Sequence, residues 1–167
     1  MSIMKKKFLI VAVLMTLSSA LFAQNSFQNK SNDINAGVGF GGLVWKGVSY
    51  GATYERGVSN VIGVGVHFAY SQYSKGGYNY TAALFGLKGA YHFWTTNKLD
   101  PYAGAELGYI SITHTGHSET SAAHSYTPVG VGIYGGVRYF LTPQFGLYGE
   151  LHVSTFSVVG VGVCVKL

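Results

Sequence analysis

Cysteine is nearly absent, charge is sparse and no long apolar run follows the N-terminus. The 167-residue chain has one cysteine, Cys164, so an intrachain disulfide scaffold is excluded. No Cys follows the N-terminal apolar stretch, so a lipid-modified N-terminal cysteine is excluded as well. Only 10% of residues are charged, against about 25% in a typical soluble domain. Such a chain is poor in the groups that keep a surface wet. Beyond the N-terminus, however, nothing reaches the roughly 18 consecutive apolar residues that a membrane-spanning helix requires.

What is present is glycine, 24 residues against 3 prolines, and aromatic residues at 15%. The N-terminus reads as an export signal. From Met4, three lysines precede an apolar run from Phe8 to Leu17 and a small-residue exit. The run is about half the length a membrane anchor needs. Cleavage is expected after Ala23, with Ala20 as the second candidate, so residues 1–23 are a signal peptide and 24–33 a short segment outside the folded domain. Removing Lys5, Lys6 and Lys7 takes the formal charge from +5 to +2. No basic patch is left to support nucleic-acid binding.

The mature chain alternates. Period-two segments fall at 34–44, 47–56, 61–73, 79–93, 101–113, 129–141, 145–154 and 157–167, separated mostly by Gly, Asn, Asp, Ser or Pro. The stretches from Thr95 to Pro101 and from His114 to Pro128 read as breaks. Most segments reach the roughly 9 to 11 residues that cross a bilayer when tilted. One face collects aliphatic residues such as Val64, Val66, Leu87, Leu107, Val131, Ile133 and Val161. The other collects glycines together with Glu55, His67, Lys88, His92, Glu106, Arg138, Glu150 and His152.

In a soluble barrel the charged face would meet water and be dense with Lys, Glu, Asp and Gln. Here it is mostly glycine, which suits the crowded inside of a narrow barrel. The aliphatic face therefore points into lipid, where only a closed sheet can sit because it leaves no unpaired edge. Aromatic placement agrees. Tyr70, Tyr73, Tyr78, Tyr109 and Trp45 fall near one set of strand ends, and Tyr54, Tyr91, Phe93, Trp94, Tyr139 and Phe145 near the other, as two interfacial girdles would. Ordinary strand propensity also favours these residues.

With this pattern the chain resembles the small eight-stranded outer-membrane barrels typified by the OmpA membrane domain and OmpX, over residues 34–167. The last strand, "VVGVGVCVKL", looks like the C-terminal assembly signal of such barrels, with Leu167 where a Phe is usual. The resemblance implies an all-β, eight-stranded antiparallel up-and-down barrel in the outer membrane of a Gram-negative bacterium. Its partners would be outer-membrane lipid and lipopolysaccharide, the barrel assembly machinery during insertion, and an unidentified extracellular partner. It also implies that the N-terminus and short turns face the periplasm, and that the stretch from His114 to Pro128 is the main outward loop. No cofactor is expected.

The interior charges form the main chemical constellation. Glu55, Glu106 and Glu150 share one face with Lys88, Arg138, His67 and His152, and charges confined in a narrow lumen should pair. An eight-strand barrel is just wide enough for its own side chains, so a plugged, structural interior is expected, with a small gated or proton-permeable channel as the alternative. "GVGFGG" at Gly37 and "GVGIYG" at Gly130 match a dinucleotide-binding pattern, but neither leads from a strand into a helix. His114, His117 and His124 could capture a metal weakly, though a loop rarely preorganises such a site. The run "ELHVS" superficially resembles the His-x-Ser pair of lipid A deacylases through Glu150, His152 and Ser154. It lacks the Asn that usually follows, and all three residues point into the lumen, so an enzyme is not expected.

Overall fold

The computed structural model describes residues 26–41, 47–116, 124–126, 129–154 and 157–167. Within them the alternation becomes nine antiparallel strands: β1 (Asn32–Phe40), β2 (Val48–Gly57), β3 (Ile62–Lys75), β4 (Tyr78–His92), β5 (Leu99–Gly116), β6 (His124–Tyr126), β7 (Val129–Phe140), β8 (Phe145–Val153) and β9 (Val159–Lys166). Neighbours in sequence pair from β1 through β5, β5 continues to β7, and β7 leads through β8 to β9. The first strand then pairs with the last, with Gly37 opposite Gly162 and Val38 opposite Val161. Eight strands thus form a closed wall. β6 is an outlying strand paired to β5 beyond that wall.

The turns follow local chemistry. Lys75 pairs with Tyr78 around Gly76 and Gly77, whose φ values of 60° and 79° are the two consecutive positive values that a type I′ hairpin needs. Hydroxyls close the turns at the opposite end. Ser59 Oγ accepts from Ile62 N–H at 3.0 Å, Thr96 Oγ1 from Leu99 N–H at 2.9 Å, and Thr142 Oγ1 from Phe145 N–H at 2.9 Å. These three turns share their end of the barrel with the start of β1 and the end of β9, hereafter the terminal mouth.

Several boundaries differ from those the pattern suggests. β5 starts at Leu99, inside the expected break, because Pro101 sits close to the strand start, where its missing N–H is tolerated, and its carbonyl accepts from Phe93 N–H at 2.9 Å. It also runs on to Gly116, and β6 falls within the stretch read as loop. β1 begins at Asn32 instead of Ile34, and residues 42–44 lie outside the described residues.

The two faces separate as alternation requires. Val131, Leu151, Ile133 and Leu107 are 69%, 66%, 63% and 54% exposed, whereas Arg138, Asp100, Asp33 and His92 are 0% exposed. A sheet with this inversion is stable only with hydrocarbon outside it, because water would leave the apolar face unburied. Tyr109, Tyr91 and Tyr139 lie on the outer face and are exposed, Tyr70 lies there half-buried opposite Tyr50, and Trp94 is exposed in the connection that follows β4. Tyr73 departs from the expected girdle. It has the inward parity of Ala69 and Ser71, stacks on Tyr80 at 4.9 Å, and packs on the cluster of Ala69, Ala82, Leu84 and Ile110. Trp45 lies outside the described residues.

Candidate functional site

The lumen is filled from opposite walls. Near the terminal mouth, Arg138 of β7 reaches Glu55 of β2 (Nη2 to Oε2, 2.6 Å) and Asp100 of β5 (Nη1 to Oδ2, 3.0 Å). His92 of β4 spans the same two acids, with Nδ1 2.7 Å from Asp100 and Nε2 2.6 Å from Glu55. These four side chains come from four different strands. A Cβ at position 63 would collide with the Glu55 carboxylate, so Gly63 provides the room that Glu55 occupies.

Farther along the axis Glu150 of β8 is the hub. It accepts from Lys88 Nζ at 3.2 Å on each oxygen, from Tyr102 Oη at 2.7 Å, and lies 2.9 Å from His152 Nε2. Aromatic faces complete the packing, with Lys88 Nζ 3.8 Å over the Tyr134 ring and Arg138 Cζ 4.7 Å over that of Tyr102. Tyr102 thus touches both clusters. A third pair, His67 Nδ1 to Glu106 Oε1 at 2.9 Å, sits toward the other mouth. Between the second and third groups is a cavity of about 40 Å³ bordered by Thr53, His67, Glu106, Tyr148, Glu150 and His152, room for a few waters.

Burial decides how much these contacts matter. Exposed ion pairs contribute about 0–1 kcal/mol. Removing one partner of a buried pair costs about 3–5 kcal/mol because a charge is left uncompensated. Arg138 and Asp100 are fully buried, and Glu55, Lys88 and Glu150 nearly so. The structure brings all seven expected lumen residues inside and into ion pairs. It adds Asp100, Tyr102 and Tyr134, which the sequence reading did not single out. Asp100 shares the parity of Tyr102 and Glu106, so continuing the alternation back through Pro101 would have found it.

Other expected sites fare differently. Ser154 Oγ donates to Ser157 O at 3.0 Å, while His152 faces Glu150, so these three residues do not form a nucleophile-base relay. Gly37 and Gly39 of the first dinucleotide-like run lie in β1, with Gly41 just past its end, and Gly130, Gly132 and Gly135 of the second lie in β7, so among the described residues neither run opens a helix. The backbones of His114 and His124 face each other across β5 and β6, whereas His117 and the side chains of both lie outside the described residues.

A family model described as Opacity family porin protein matches residues 52–161. No curated protein sequence matches the chain. Among solved structures it is similar to the N-terminal β-barrel domain of OprF from Pseudomonas aeruginosa, at 21% identity and TM-score 0.63, covering 86% of this chain and 100% of that one. It is similar to Neisserial surface protein A at 20% and 0.59, covering 82% and 95%. It is also similar to Ail, the attachment invasion locus protein of Yersinia pestis, at 14% and 0.53, covering 84% and 96%.

Proposed function

The chain belongs to the Opacity family of porin proteins and is an outer-membrane barrel, and from that premise we propose that it is a non-enzymatic envelope or surface-interaction protein whose lumen is kept shut by its charge network. The observation that carries this reading is the double bridge at Arg138, which ties β7 to β2 and β5 across the lumen with no exposed surface of its own. Glu55, Asp100, Glu106 and Glu150 each face a basic side chain within 3.2 Å, and paired charges in a low-dielectric channel repay their desolvation only while they stay together. A signal peptide ending at Ala23 or Ala20 would deliver the chain. The terminal mouth would face the periplasm, and the loop between β5 and β7 would offer the outward surface to a partner. Insertion would use the barrel assembly machinery, with outer-membrane lipid and lipopolysaccharide around the apolar wall.

A second reading, a small gated channel, is favoured by the cavity beside Glu106 and Glu150 and by the porin description of the family. Conductance of the refolded protein in a planar lipid bilayer separates the two, with Glu106→Ala and Arg138→Ala in parallel. Insertion without current supports the closed barrel. Discrete steps that either substitution alters would sink it in favour of the channel.

A further inference from the structure

The residues that precede β1 do not run clear of the barrel. Ser26 and Phe27 are each 1% exposed although they belong to no strand. Ser26 N–H donates to Thr96 O at 2.7 Å and its Oγ to Leu99 O at 2.9 Å, on the connection between β4 and β5. On the other side Asn29 N–H donates to Asn60 Oδ1 at 3.1 Å, Lys30 N–H to Gly57 O at 2.8 Å, and Gly57 N–H to Ser31 O at 2.9 Å. The segment therefore straps one turn to another across the terminal mouth. A Cβ at position 57 would meet the Gln28 carbonyl, so only glycine lets the strap lie this close. Lys30, at φ 68°, makes the bend that returns the chain to β1.

Between these two anchorages the Phe27 ring lies flat on His92, with centroids 3.4 Å apart and planes 3° from parallel. Both nitrogens of that imidazole already face carboxylates. A ring stacked this closely leaves no room for water on that face of the imidazole.

We propose that residues 26–31 are a displaceable plug, with Phe27 as its head, that seals the His92 and Arg138 cluster from the aqueous phase at the terminal mouth. The inference rests on the closed-lumen reading above. The wall does not depend on the strap, because the pairings of β1 with β2 and with β9 begin at Asn32 and Asp33. Withdrawal would break a handful of contacts to the two turns and to Gly57 at the end of β2, together with one ring stack, and none of the bonds that pair β1 with its neighbours. It would let water reach His92, Glu55 and Asp100. Attraction between charges falls as the surrounding dielectric rises, so the cluster would loosen and the lower lumen would hydrate.

The test is hydrogen–deuterium exchange at the histidine C2 position, resolved by mass spectrometry, in the refolded protein and in Phe27→Ala and Phe27→Leu. The His92 half-time is expected to shorten at least about fivefold in Phe27→Ala and less in Phe27→Leu, with His67 and His152 unchanged as internal references. An unaltered His92 half-time in the substituted proteins overturns the plug. Should Phe27→Ala fail to insert, Phe27→Leu, which keeps an apolar side chain, carries the comparison alone. Bilayer conductance on the same preparations keeps the two ideas apart. Current in the unsubstituted protein overturns the closed lumen whatever His92 does. Current confined to Phe27→Ala, with faster exchange, supports the plug and makes it a gate.

Discussion

Arg138 and Glu55 stand 83 positions apart in the chain and meet at 2.6 Å inside the barrel, with the guanidinium wholly shielded from solvent. Nothing local in the sequence prepares that contact; it exists because β7 and β2 face each other across a narrow lumen.

Removing the guanidinium should therefore be expensive. Arg138→Ala leaves Glu55 and Asp100 with only His92 between them, and should destabilise the barrel by about 3–5 kcal/mol. Glu106→Ala should cost less, because its partner His67 is partly exposed, with 15% of its side chain open. Equilibrium urea unfolding in lipid vesicles reads both. Equal, negligible losses would remove the network from the account of stability.

Glycines should divide by the direction they face. At Gly162 a Cβ would come within 2.7 Å of Tyr148 and 2.6 Å of the Gly37 backbone, whereas at Gly149 it would meet nothing within 4 Å. Gly162→Ala should lose about 1–3 kcal/mol through overpacking. Gly149→Ala should stay within about 0.5 kcal/mol of the unsubstituted protein. The same unfolding assay decides, and comparable losses at both sites would contradict the assignment of faces.

Charge on the outer wall should be penalised by depth. Ile133 lies within β7 and is 63% exposed on the apolar face, while Leu141 lies just past the end of that strand. Ile133→Arg should cost about 2–4 kcal/mol and Leu141→Arg about 0–1 kcal/mol. A reversed order in vesicle-based unfolding would mean that the bilayer sits elsewhere on the barrel.

Export makes a prediction about mass. Protein recovered from the outer membrane should begin at Gln24, or at Leu21 if Ala20 is the cleavage position, as intact-mass spectrometry would report. A mature chain retaining Lys5 to Lys7 would refute the signal-peptide assignment.

The sidedness of the barrel was readable from the sequence because one period governs every strand. Arg138, Glu150 and Lys88 could be placed inside on parity alone. Their partners could not, since alternation gives the face but not the shear that decides which strands meet across the lumen. Asp100 was hidden by Pro101, a residue that usually marks a break. Tyr73 was misplaced because its nearness to a strand end was weighed without its parity. Phe27 carried no signal at all, as its segment has no period and gains meaning only through the distant His92. β6 depends on a backbone pairing with β5, which composition does not reveal.

The seam between β1 and β9 bears on how the molecule comes into being. Its pairing joins residues 119 to 133 positions apart, ending with Leu167 N–H donating to Asn32 O at 2.8 Å, whereas most other neighbours in the wall are successive hairpins. A chain acquiring those hairpins in order passes through a curved sheet with two bare margins, each a row of unmet donors and acceptors. Hydrocarbon penalises every one of them by several kcal/mol. Birth in the membrane must then be concerted, or the two margins must be held by the strands of a host until the last one arrives.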